Sequence, residues 1–279
     1  MTATVFTSVS ELLKMTESMK IYDLEFERFY GMPSFPPLIP GYIYQIHRQH
    51  QTSYEPEEEG ERTGASGLVV MSDHSGTHVD ALCHQAVGLK IHDGIDVGPK
   101  VQTPWGFRVH GAEKIPPMVK RGILLDIPAS KNVQILPEKY QITPADMDGA
   151  LRMTGTKVLA NDVVLVRTGY GRFWSDVEKF KNYASVSKEA TLWFNDKDVF
   201  AVGIDNLSWD PPGVRDPKTK STHFAHINLL VEQGKYIFEN VFLEELSSDK
   251  CYEFMFLAFP IKLRGATGAP VRPVALGMK

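Results

Sequence analysis

Apolar positions fall into two spacings along the chain. At the start, Val9, Leu12, Leu13 and Met19 recur near helical spacing with Ser8 or Ser10 as a cap, which predicts an amphipathic helix over residues 1–20. The next stretch, IYDLEFERFYGMPSFPPLIPGYIYQIH, carries four prolines and many aromatics and reads as extended chain packed by large side chains. Residues 51–66 are acidic and lack apolar periodicity, the pattern of an exposed loop or flap. Short apolar runs then predict strands: GLVVMS (67–72), GILLDIP (122–128), DVVLVRTG (162–169), VFAVGID (199–205) and CYEFMFLAFPIKL (251–263), the last four as buried strands. TPADMDGALRMTG and SKEATLWFND predict intervening helices capped by Thr143 and Ser187. ALCHQAVG predicts one more helix start with Asp80 as its cap, so a strand-loop-helix junction is expected around residues 67–88.

This alternation predicts an α/β or α+β fold. With no internal repeat and no long linker, residues 1–279 are expected to form a single domain, in which residues 1–66 supply an N-terminal helix, a Pro/aromatic-rich arm and an acidic loop. Composition narrows the function. The 30 Lys and Arg against 34 Asp and Glu give a net charge of −4, which argues against a protein built to grip nucleic acid phosphates. No run of about 18 apolar residues suggests a membrane span or signal peptide, so a cytoplasmic protein is expected. Cys83 and Cys251 form no C-x-x-C pair, so neither a disulfide scaffold nor a thiolate zinc module is implied.

Histidine stands out instead. Of nine, His74, His78 and His84 crowd one short window, and His223 and His226 another. The string His74-Ser75-Gly76-Thr77-His78-Val79-Asp80-Ala81-Leu82-Cys83-His84 places three imidazoles and a carboxylate within eleven residues. Gly76 and the β-branched Thr77 and Val79 disfavour a helix there, whereas in extended chain His78 and Asp80, two apart, point the same way. Neutral imidazole with carboxylate is a ligand set for Zn, Mn or Fe in the divalent state.

These residues, H-x-G-T-H-x-D-x-x-x-H, resemble the signature of the cyclase-like metal-dependent hydrolases, a family that includes bacterial kynurenine formamidase and isatin hydrolase. RGILLDI, DVVLVRTGYGRFW, VGIDNLSWD, HINLLVEQGKYIFENVFLEEL and PIKLRGATGAPVRPVAL extend the resemblance over most of the chain. It implies a mixed sheet with flanking helices in a swivelling β/β/α-like architecture. It also implies metal ligation by His74, His78, Asp80, His226 and Glu239, with Glu232 and Glu244 as neighbouring candidates for the last, and acid/base catalysis by His84. Many members carry Pro two residues after the Asp, where this chain has Leu82, a change that bears on pocket shape rather than metal binding.

Five ligands exceed what a single catalytic zinc takes; two ions sharing Asp80 or Glu239 would use them all, and a single manganese is the runner-up. The resemblance implies hydrolysis of an amide-like C–N bond, in an N-formyl arylamine or cyclic amide, and a homo-oligomer. A cyclase or dehydratase on the same site, and a non-catalytic metal-stabilised binding protein, are the competing readings. His223 is expected at the surface or behind a ligand. Arg167 suits a substrate carboxylate or a structural ion pair, Cys83 a buried structural role, and Tyr44, Trp105 and Trp174 either a pocket wall or the core. The arm at residues 22–50 is expected to reach across a subunit interface or over the site.

Overall fold

The structure is a computed structural model that describes residues 8–278, Pro37 and Ile39 excepted. Its main strands are β1 Met19–Asp23, β2 Tyr42–Arg48, β3 Ser66–Met71, β4 His78–Asp80, β5 Met118–Asp126, β6 Val163–Arg167, β7 Ala201–Ile204, β8 Tyr236–Glu239, β9 Glu253–Ala258, β10 Gly268–Pro270 and β11 Val274–Met278. Nine of them form one sheet in the order β1-β11-β9-β5-β6-β7-β8-β4-β10. The central four, β5 to β8, run parallel, and the strands added on either side pair antiparallel. This is α/β, one of the two classes the alternation allows, with the mixed sheet that the family resemblance implies.

Three of the four runs expected as buried strands, 122–128, 162–169 and 199–205, are the parallel β5, β6 and β7, covered on both faces. The fourth, 251–263, holds β9, which pairs antiparallel with β5 and β11 and is buried at alternate residues. Alternate residues feed two cores: Ile123, Leu125, Val164, Val166, Val202 and Ile204 pack on one face, Leu124, Val163, Leu165, Ala201 and Phe238 on the other. The first face is covered by α2, Pro144–Thr154, and by the short helix Lys188–Leu192. Thr143 and Asp146 close a capping box on α2, and Gly155 ends it at φ +72°; Ser187 caps the shorter helix as expected. Gly122 lies under Phe254, whose ring would lie 2.1 Å from a Cβ there.

Two expectations change. The N-terminal helix α1 spans Val9–Glu17 with Ser8 as cap, and Met19 onward is sheet, because β1 finds its partner in β11; residues 1–7 of the expected helix lie outside the described residues. The segment after Asp80 is a turn rather than a helix start, and Asp80 caps nothing. Ala81 N donates to Thr267 O, continuing the pairing of β4 with β10, so tertiary pairing overrides the local preference. The acidic stretch 51–66 is an exposed connection holding a short helix at Pro56–Glu59, and it joins β2 and β3 into a separate two-stranded ribbon.

Candidate metal centre

β4 lies between β8 and β10, and this register assembles the site. His78 pairs directly opposite Glu239, and Asp80 opposite Gly268. Side chains two apart on a strand share a face, so His78 and Asp80 point together, and cross-strand pairing brings Glu239 beside them. His74 precedes β4 by a turn in which Gly76 takes φ +61°. Gly268 makes room for it: a Cβ there would lie 2.7 Å from the His74 ring. His226 arrives from the short helix Phe224–His226, whose first amides donate to Asp210.

Asp80 is the hub. His74 Nδ1 is 2.8 Å and His78 Nε2 3.4 Å from its Oδ1; His226 Nε2 is 3.3 Å from its Oδ2 and 3.4 Å from Glu239 Oε1. His78 Nε2 is 3.6 Å from Glu239 Oε2. The His84 ring centroid lies 4.1 Å from that of His74 and 5.8 Å from that of His226. The structure thus brings together all six residues named from the sequence. Glu232 is exposed and Glu244 pairs with Arg167 and Arg172, so of the three candidate glutamates Glu239 is the one at the cluster.

The outer nitrogens of three histidines settle which proton each carries. His78 Nδ1 donates to Gly76 O at 2.8 Å, and His226 Nδ1 faces Asp210 Oδ2 at 2.6 Å. His74 Nε2 meets Thr267 Oγ1 at 2.8 Å, and that hydroxyl already donates to Asp73. Each outer nitrogen is therefore a donor, which leaves the inner nitrogen of the neutral ring with a lone pair turned toward Asp80. Despite the short approach distances, His78 Nε2 and both oxygens of Asp80 are buried and have no hydrogen-bond partner. Lone pairs and two carboxylates that face one another require positive charge between them, and the His/Asp cluster fits a divalent metal.

Electrostatics agree. Burial works against an ionised Asp80, but His84, His226, His74 and His78 hold its carboxyl well below the usual range. Burial likewise opposes charge on His226, yet Asp210, Asp80 and Glu239 lift its pKa well above the ordinary imidazole value, and Asp80 and Glu239 raise that of His78. His84 goes the other way: burial pushes it down to about 3, so it is neutral at physiological pH.

The cluster opens into a cavity of about 260 Å³. Pro33, Ser34, Phe35 and Leu38 of the Pro/aromatic arm cover it, so the arm does reach over the site. Leu207, Ser208, Gln85, His223 and Asn240 complete the wall. His223 is a half-buried wall residue, its ring edge-on to Phe35 and to His226. None of Tyr44, Trp105 and Trp174 lines it: the first two are exposed and Trp174 stacks on Phe26 in the core. Arg167 is a buried ion-pair partner of Asp126 and Glu244, and Cys83 is a buried thiol pushed up to about 12 by burial.

Residues 18–211 match the sequence model of a family described as putative cyclases. The chain belongs to the putative cyclase family. The match contains the whole His74 to His84 string and stops just after Asp210. The chain is also 26% identical over 233 residues to the kynurenine formamidase of Bacillus cytotoxicus, covering 80% of this chain and 86% of that one. Among solved structures it resembles one described as a novel cyclase, at TM-score 0.82 and 27% identity over 97% of this chain and 90% of that one. Isatin hydrolase A from Ralstonia solanacearum shares the fold, at TM-score 0.73 and 18% identity over 99% and 100% of the two chains.

Residues behind the ligands, namely Asp73, Thr267 and Asp210, carry no signal in the motif. Asp210 could have been suspected as a lone acid before two prolines, but Thr267 lies almost two hundred residues from the histidine it supports.

Proposed function

We infer that this chain is a metal-dependent hydrolase that cleaves an amide-like C–N bond outside peptides, in a small N-formyl arylamine or cyclic amide. The observation that carries the reading is the set of inward lone pairs around Asp80, backed by outer hydrogen bonds and opening on a largely apolar cavity. The formamidase relative and the isatin hydrolase neighbours supply the bond type. His74, His78, Asp80, His226 and Glu239 would hold zinc or manganese, as one ion or as two sharing a carboxylate.

Such a cation supplies Lewis acidity toward a water and toward the substrate carbonyl. The chain's own residues do the rest. Asp210, Gly76 O and Thr267 fix the orientation of the ligand imidazoles, and Pro33, Phe35, Leu38 and Leu207 keep bulk water from the reacting centre. His84, held neutral by burial, takes the proton released when water adds to the carbonyl carbon. The same burial makes its protonated form a strong acid, ready to pass that proton to the departing nitrogen.

The test is turnover of N-formylaniline and of isatin by protein loaded with zinc or manganese. Release of aniline or of the ring-opened acid, lost with a chelator and regained on reloading, is the expected result. A metal-loaded protein that cleaves neither overturns the assignment.

A further inference from the structure

Among the described residues that line the cavity, those with an orphaned buried side-chain atom belong to the cation cluster, with one exception: Asn240, whose side-chain oxygen is buried and unpartnered. Asn240 is 2% exposed and stands next to Glu239. Its Nδ2 donates to Gly76 O at 3.0 Å, the carbonyl that also accepts from His78 Nδ1. A peptide carbonyl only accepts, so the amide cannot be turned round without setting oxygen against oxygen. Oδ1 is therefore the free end. The backbone cannot move to relieve it, because Asn240 N donates to Asn206 O at 2.9 Å and Asn240 O accepts from Thr77 Oγ1. A buried acceptor left unpaired has lost its water without gaining a partner, which makes it a demand for a donor.

An amide substrate brings two polar groups to the reacting centre. Its carbonyl oxygen is an acceptor and cannot satisfy Oδ1; its N–H can. We propose that Asn240 Oδ1 accepts the N–H of the scissile amide and makes the site selective for secondary amides over N-alkylated amides and esters. This rests on the hydrolase reading above. In the reaction water bonds to the carbonyl carbon, the C–N bond breaks with its electron pair left on nitrogen, and nitrogen takes a proton, giving a carboxylic acid and an amine. Holding the N–H fixes the side from which that proton must arrive.

The test measures kcat/KM on zinc-loaded protein for N-formylaniline, its N-methyl analogue and phenyl formate, each corrected for its rate in buffer alone. Asn240→Gly removes the acceptor and tolerates the local φ of +54°; Asn240→Ala is the second variant. Both should lose about tenfold on N-formylaniline while phenyl formate stays within about twofold and the zinc content is unchanged. A fall shared equally by anilide and ester, or no fall, overturns the proposal and leaves Asn240 a packing or water-binding residue. Should neither variant fold, wild-type protein decides: equal corrected rates on N-formylaniline and its N-methyl analogue overturn it, and a strong preference for the N–H substrate supports it. Wild-type protein that cleaves none of the three overturns the hydrolase reading and this inference with it.

Discussion

His84 differs from the other three histidines of the cluster in what stands behind it. His74, His78 and His226 each donate outward to a fixed acceptor, whereas the hydrogen-bond partner of His84 is the Gln85 side chain, 3.2 Å from its Nε2. His84 also stands with Asp80 and His226 in a group that could hold a cation, but the absence of a fixed carboxylate or carbonyl behind its ring favours the proton-carrying role over ligation. His84→Ala should therefore keep its metal, measured by elemental analysis, and lose about 10²–10⁴-fold in kcat. Full activity would remove His84 from the proton path, and lost metal would make it a ligand. All six chemical side chains were nameable from the sequence because four of them sit in one string. Their supports were not: the partnership of His74 with Thr267 exists only because β10 pairs with β4.

At the scale of elements, the apolar runs located β5, β6, β7 and the half-buried β9 but not the buried β8, and Thr143 and Ser187 located two helix starts, because both signals are local. The element that matters most, β4, is legible only in part: extended chain at His78 and Asp80 is expected from the residues, but its place in the sheet and the turn after Asp80 are not. Three residues of β4 are too few for a period to register, and the strand exists by virtue of two partners distant in sequence. Arg167 illustrates the same limit: from sequence it was either a substrate clamp or an ion pair. The register decides, since the ends of β5 and β6 set Asp126 beside Arg167. Its guanidinium donates to Asp126 at 2.9 Å and through two nitrogens to Glu244, also at 2.9 Å, with all three groups away from the cavity. Arg167→Met would strand a fully buried Asp126 carboxylate, and urea denaturation should show a loss of about 3–5 kcal/mol. A loss under about 1 kcal/mol would mean that the network contributes little to holding β5 and β6 to the segment after β8.

For the whole molecule, the cluster is a point where the chain is tied to itself. Its side chains come from the turn before β4, from β4, from the turn after it, from the helix at Phe224–His226 and from β8, so a cation bound there holds the 74–84 segment to the C-terminal part of the fold. A ligand that binds only the folded state stabilises it by about 2.7 kcal/mol at a hundredfold excess over Kd, which for a chain of this size raises Tm by several degrees. Without a cation, protons must balance Asp80 and Glu239, which is why the pKa values of His226 and His78 are raised. The sign then follows. A raised folded-state pKa stabilises the metal-free protein fully below the unfolded imidazole value near 6.5, and that stabilisation fades as pH climbs through the raised values. A cation has to displace those same protons, so its binding strengthens over the same climb. The Tm gain on adding zinc should accordingly be larger at pH 8 than at pH 6 by thermal denaturation. Asp80→Asn, which removes the charge at the hub, should abolish most of the gain at both. A gain that is absent in the wild type, or that survives intact in Asp80→Asn, would place the cation elsewhere in the molecule.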